Sequence, residues 1–271
     1  MPMNRPILSL VILAVALTPA CQSSDVRAVP SRTWTGLGGS VAATDLDEDG
    51  ALRGSTLDQL GVGGRESNDR LSLEWEQGGD HWELFGHATD SRGAGTLADD
   101  LHLEGVELRF DEGDVDTNLH LGVYGLRWVR PIAQEGALEV CAGASLVVAE
   151  FDLDLDQDVL DADTGVPTGE HKSTGKSAVM PFPLAALDLR YDHESFDARL
   201  AISGLWVWVE EGSGHIIDLD FQVVVPIFDD VGDLVCGYHE LELELDHSSP
   251  GERARMDVTF SGPYLGLRFG F

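Results

Sequence analysis

Residues 262–271, Gly-Pro-Tyr-Leu-Gly-Leu-Arg-Phe-Gly-Phe, alternate strictly in character. Successive side chains of a strand point to opposite faces. Leu265, Leu267, Phe269 and Phe271 therefore share one face, and Tyr264, Gly266, Arg268 and Gly270 the other. The chain ends on a two-sided strand, apolar and aromatic-ended on one side, small or polar on the other. Such a strand suits a barrel wall with hydrocarbon outside and a polar lumen inside, or the edge of a soluble β-domain.

The same period-2 alternation runs through most of the chain, without a convincing helix. It predicts strands near 34–44, 70–77, 81–89, 117–130, 137–152, 180–191, 196–209, 215–227, 234–247 and 256–271. Most reach the roughly 9–11 residues that a tilted strand needs to cross a bilayer. Short joints at 78–80, 133–136, 192–195 and 229–233 alternate with connections at 45–69, 90–116, 153–179, 210–214 and 248–255, three of them long. That asymmetry belongs to membrane barrels, whose short turns face the periplasm. The expected fold is all-β: a closed, antiparallel, up-and-down transmembrane β-barrel of about 10 strands, within a range of roughly 8–12. Residues 101–111 also alternate. They are expected as an extra arm in an extended loop, or as part of a twelve-strand barrel.

Several strands sort by face. Ile217, Leu219, Phe221, Val223, Val225 and Ile227 oppose Asp218, Asp220 and Gln222. Phe196, Ala198, Leu200 and Ile202 oppose Asp197, Arg199 and Ser203, while Leu71, Leu73 and Trp75 oppose Ser72 and Glu74. In 234–247, Val235, Gly237, Leu241, Leu243 and Leu245 oppose Tyr238, Glu240, Glu242, Glu244 and Asp246. The apolar sides are expected against lipid, where a cation at the midplane costs about 2–4 kcal/mol. The lumen-facing set is then Glu240, Glu242, Glu244, Asp218, Asp220, Arg199 and Arg268. An unpaired buried charge is expensive. Arg127, Arg190, Arg199 and Arg268 are accordingly expected to pair with Glu240, Glu242 and Asp220, plugging the lumen. Phase slips near Gly125 and Gly204 point to β-bulges. Trp34, Trp75, Trp82, Trp128, Trp206 and Trp208 often fall near strand ends, as interfacial girdles require.

At the other end, Arg5 precedes an apolar run from Ile7 to Leu17, then Thr18-Pro19-Ala20-Cys21. The run is too short for a membrane helix and reads as a signal peptide, residues 1–20. Residues 21–31 read as an N-terminal tether, lipidated at Cys21 if the lipobox-like tetrad is used, and 32–271 as the barrel. Cys141 and Cys236 remain, either bonded or as two thiols, since export permits a disulfide. Forty-eight acidic residues against 17 basic ones give a formal charge of −31. Such a surface repels nucleic acid and favours cations.

Residues 255–271, Arg-Met-Asp-Val-Thr-Phe-Ser-Gly-Pro-Tyr-Leu-Gly-Leu-Arg-Phe-Gly-Phe, resemble the end of bacterial outer-membrane β-barrel proteins of the OmpA/OmpW-like kind. Residues 237–246, Gly-Tyr-His-Glu-Leu-Glu-Leu-Glu-Leu-Asp, resemble their penultimate strand, with His239 departing from the usual basic or aromatic choice. The resemblance implies residence in the bacterial outer membrane, contact with its lipids, and handling by barrel-assembly machinery through the strand ending at Phe271. It imports no activity, because fold does not fix function.

Three constellations bear on chemistry. Asp45-Leu46-Asp47-Glu48-Asp49-Gly50 opens like a calcium loop, making Asp45, Asp47 and Asp49 candidate Ca2+ ligands. Arg53 and Thr56 then fill its ninth and twelfth positions, where a Glu belongs at the twelfth. Asp152, Asp154 and Asp156, near Asp158, Asp161 and Asp163, form a second acidic cluster. His87, His171, His215 and Asp218 fall where a rim hydrolase would carry its acid and base groups. No other cofactor motif is present. The expected function is a non-enzymatic barrel that is structural, a narrow channel, or a binder of ligands or cations. The alternatives are a surface hydrolase of lipid A deacylase or protease type on the same scaffold, and a soluble periplasmic all-β lipoprotein.

Overall fold

A computed structural model describes residues 26–45, 53–97, 101–102, 109–110, 113–160, 167–209, 212–228, 232–249 and 252–270. Ten long strands form the wall: β1 (Val26–Asp45), β3 (Gly64–Gln77), β4 (Asp80–Leu97), β7 (Gly113–Glu135), β8 (Leu138–Leu160), β9 (Pro167–His193), β10 (Phe196–Val209), β11 (Gly212–Phe228), β12 (Gly232–Ser249) and β13 (Glu252–Gly270). Each pairs antiparallel with its neighbour in the wall, and β13 pairs back with β1 from Arg27↔Gly270 to Asp45↔Glu252. The wall therefore closes on itself, and the fold is a ten-stranded antiparallel barrel. β2 (Arg53–Thr56) adds a short strand to the end of β1. β5 (Leu101–His102) and β6 (Arg109–Phe110) pair only with each other, so these described residues of the 101–111 segment are not strands of the wall.

The periplasmic turns are as short as their residues require. Gly78 and Gly79, with φ of 65° and 84°, close the two-residue hairpin between Gln77 and Asp80. Positive φ at both central positions is the mirror-image turn that matches strand twist. At the opposite end the strands run further than the alternation predicted. β8 continues to Leu160 and β9 starts at Pro167, so most of the expected 153–179 loop is strand. The barrel also begins at Val26, inside the stretch read as a tether, because residues from 26 onward pair with β3 and those from 27 with β13. Residues 1–20 and Cys21 lie outside the described residues, as does Phe271.

The wall changes character with height. In its lower part the outside is apolar: Phe221, Ile227, Leu265, Leu267, Leu126 and Leu187 are exposed there. Above, the inside is apolar. Leu119, Leu153, Leu155, Ile216, Leu241 and Phe260 form one buried cluster with Leu57, Leu60 and Val62. Those last three come from the segment after β2, which is tucked into the extracellular mouth. Thr56 and Gln59 cap each other there, Thr56 N donating to Gln59 Oε1 at 2.8 Å and Gln59 N to Thr56 Oγ1 at 3.2 Å. A Cβ on Gly93 or Gly95 of β4 would run into the backbone of Gly61 or of Gln59 and Leu60. Bare backbone on β4 is what lets the segment seat.

A tryptophan girdle marks the periplasmic boundary. Trp75 stacks on Trp82 at 5.9 Å, and Trp82 meets Trp128 at 6.2 Å, across three neighbouring strands. In the turn beneath, Asp80 accepts hydrogen bonds from Arg130 Nε (2.8 Å) and Nη2 (3.0 Å) and from Trp128 Nε1 (3.0 Å). The Arg130 bonds, and then the Trp128 bond, hold its carboxyl down at about 2. Trp34 and Trp206 are exposed higher on the wall. The expected bulges at Gly125 and Gly204 do not occur, since no register shift falls at either; at Gly204 the pairing with β11 runs on while that with β9 ends. Gly125 instead makes room for the ring of Phe85. Register shifts fall at Pro131/Ala133, Asp158/Leu160 and Pro226/Phe228.

Candidate functional site

Alternation alone delivers the lumenal groups, each strand supplying every second residue to the inside. Arg70 comes from β3, Glu83 and His87 from β4, Arg127 from β7 and Asp188 from β9. Arg199 and Ser203 come from β10, Asp218 and Asp220 from β11, His239 from β12 and Tyr264 from β13. At membrane height these side chains meet across the lumen.

Arg127 is the hub. Its Nη1 donates to Glu83 Oε2 (3.1 Å), and its Nη2 to Asp218 Oδ2 (2.9 Å) and Ser203 Oγ (3.2 Å). Asp218 Oδ1 pairs with His239 Nε2 at 2.8 Å. Arg70 pairs with Asp220, whose Oδ1 also accepts the Tyr264 hydroxyl at 2.7 Å. Arg199 Nη2 lies 2.8 Å from both Glu83 Oε2 and Asp188 Oδ2. Guanidinium planes also cover aromatic rings, Arg70 over Tyr264 at 4.7 Å and Arg127 over Phe85 at 5.6 Å. Taking such charges out of water costs several kcal/mol per ion, offset here by multiple bonds to each. His87 caps the network from above, stacked on Phe260 at 4.6 Å and edge-on to His239 at 5.1 Å. The result is a cross-linked polar plug beneath an apolar one.

Asp218, Asp220 and Arg199 lie inside the barrel, as does Arg268, which bridges Asp233 (2.8 Å) and Asp197 (3.1 Å) at the periplasmic end. Glu240, Glu242 and Glu244 do not. They sit on the outer face of β12, while His239, Leu241 and Leu243 point inward and are buried. β12 leaves the bilayer along its length, so its outer face passes from apolar Cys236 and Tyr238 to acids in water. The expected partners change accordingly. Glu242 meets His215 (3.2 Å) and Glu244 meets Arg255 (2.7 Å), both on the outside. Arg190 holds Asp188 at 3.2 Å.

The four hydrolase candidates are not brought together. His87 and Asp218 are buried in the lumen, His215 is on the outer wall, and His171 pairs with Asp158 at 2.6 Å, both exposed. Asp45 ends β1, while Asp47 and Asp49 lie outside the described residues. Asp152 and Asp154 line an outer-wall depression beside His120, which pairs with Asp90 at 2.7 Å. Asp161 and Asp163 lie outside the described residues. Cys141 is buried inside the wall and Cys236 is exposed outside it, and both are free thiols. Sequence reasoning missed Arg70, Glu83, Asp188 and His239 as network members. Their only signal was parity with Asp218 and Arg199, which does not tell which strands face each other.

Fold and lumen define a transmembrane β-barrel of the bacterial outer-membrane class. Solved structures agree. The chain is similar to the outer-membrane protease OmpT of Escherichia coli, with a TM-score of 0.61 and 13% identity over 91% of this chain and 97% of that one. It also matches Ail, the attachment invasion locus protein of Yersinia pestis (TM-score 0.32, 11% identity, 90% and 99% covered). The toluene transporter TodX of Pseudomonas putida matches too (TM-score 0.32, 9% identity, 94% and 92% covered). At 13% identity the likeness to OmpT carries the outer-membrane barrel fold alone. No protein-family model and no curated protein matches the chain.

Proposed function

We propose that this protein is a sealed outer-membrane barrel that acts through its extracellular outer wall, as a structural or binding protein and not as a channel or hydrolase. The observation that carries the reading is the Arg127 hub, which ties β4, β7, β10 and β11 together across the lumen. A permeant solute would have to break buried ion pairs, at about 3–5 kcal/mol each, and then displace the apolar plug of Leu57, Leu60 and Val62. OmpT is a protease, but likeness to it at 13% identity carries the fold alone; of the acid and base candidates of this chain, His87 and Asp218 are buried in the lumenal network around His239, and His171 and His215 lie apart from it. The working surface is then the upper outer wall, where Asp90, Asp152, Asp154, Glu240, Glu242 and Glu244 favour a cationic partner. Planar-bilayer recording of the purified barrel tests this. No conductance steps are expected from the wild type; steady unit conductance would overturn the reading.

A further inference from the structure

At the periplasmic end of the lumen three different ligand types converge. Glu139 and Cys141, two residues apart on β8, both point inward, and His81 reaches them from β4, beyond the intervening β7. Glu139 Oε1 lies 2.9 Å from His81 Nε2 and 3.2 Å from Cys141 Sγ. The three ligand atoms lie within 4.8 Å of one another. A small inward movement would place them around one ion. Among the described residues this is the one such grouping of three or more.

Two further observations point the same way. Asp188 is the register partner of Cys141, is fully buried, and has Oδ1 without a hydrogen-bond partner. Its other oxygen is occupied by Arg190 and Arg199, so Arg190, the register partner of Glu139, is engaged away from Glu139. Cys141 also packs with Val129 and Ala186 in a buried apolar cluster, which closes the site on one side. The His81 and Glu139 side chains keep 16% and 19% exposure, which opens it to the periplasm. A dry wall behind the ligands and an open position in front is how proteins hold a reactive or exchangeable metal.

We propose that His81, Glu139 and Cys141 form a Zn2+ site at the periplasmic mouth of the barrel. Thiolate, imidazole and carboxylate together suit a borderline-soft ion, whereas Ca2+ and Mg2+ take oxygen ligands. Three protein ligands leave the fourth tetrahedral position to water. Binding displaces the thiol proton to solvent. The site is independent of whether the lumen conducts.

Cobalt serves as the spectroscopic probe. Co2+ added to the folded full-length barrel in detergent should give a thiolate-to-cobalt charge-transfer band that saturates at about one equivalent per chain and is bleached by Zn2+. Cys141→Ser should abolish the band, and His81→Ala should weaken affinity more than about 100-fold, beyond the usual loss for an outer-shell partner. Cys236→Ser should leave it intact. The heat-dependent gel mobility of each variant reports that the barrel is folded. Absence of the band in folded wild type overturns the proposal, as does a band that survives Cys141→Ser and is lost in Cys236→Ser.

Discussion

Arg127 on β7 reaches across the lumen to Asp218 on β11 at 2.9 Å, with each side chain only 2% exposed. Removing one partner strands the other in a place water does not reach. Asp218→Ala should therefore destabilise the barrel by about 3–5 kcal/mol, since it also deprives His239 of its carboxylate. Glu242→Ala, on the outer wall, should stay within about 0.5 kcal/mol. Urea unfolding in lipid vesicles, followed by tryptophan fluorescence, reads both. Equal effects would mean that the two acids share an environment.

The tucked segment at the extracellular mouth is held by Leu57, Leu60 and Val62, all buried. Leu57→Ala should cost about 2–5 kcal/mol as a core truncation. Gly95→Val should instead leave the wall intact and expel the segment, because the new side chain would occupy the path of the Gln59 and Leu60 backbone. Limited proteolysis of intact cells should then cut within residues 53–62 in the variant and not in the wild type.

Asp80 gives a defined acid response. Its ordinary value of 3.8 is lowered to about 2 by Arg130 and Trp128. A depressed folded value contributes stability above the unfolded pKa, and that contribution is lost as pH falls through the folded one. Wild type should lose stability between about pH 4 and pH 2 relative to Asp80→Asn, and the two should run parallel above that window. Urea midpoints across the range decide it.

The two thiols should behave oppositely. Cys236 is exposed on the outer face and Cys141 is buried inside. A small maleimide should label Cys236 in detergent and spare Cys141 until the barrel is unfolded. Gel mobility should not change with reductant, because the pair lies on opposite sides of one wall.

The strands were legible in the sequence wherever the environment on each side stayed constant. β11 kept Ile217, Leu219 and Phe221 to lipid and Asp218, Asp220 and Gln222 to the lumen, and its faces read correctly. β12 was divided correctly too, with Tyr238 and Glu240 on one face, but inside and outside were exchanged. Polarity marks inside or outside only at a given height, and β12 crosses from hydrocarbon into water between Tyr238 and Glu240. The same cause hid the upper ends of β8 and β9, where an acid-rich strand reads as a loop. The lumenal network stayed unread because its pairs join strands that are not neighbours. Arg127 and Asp218 are 91 residues apart, and nothing local to either names the other.

The exchange of polarity partway up the wall acts as a depth gauge. Sliding the molecule inward would carry Glu240 and Glu242 into hydrocarbon, and sliding it outward would bare Phe221 and Leu265 to water. Both displacements are uphill, so the cylinder keeps its level and a thicker or thinner bilayer has to deform to meet it.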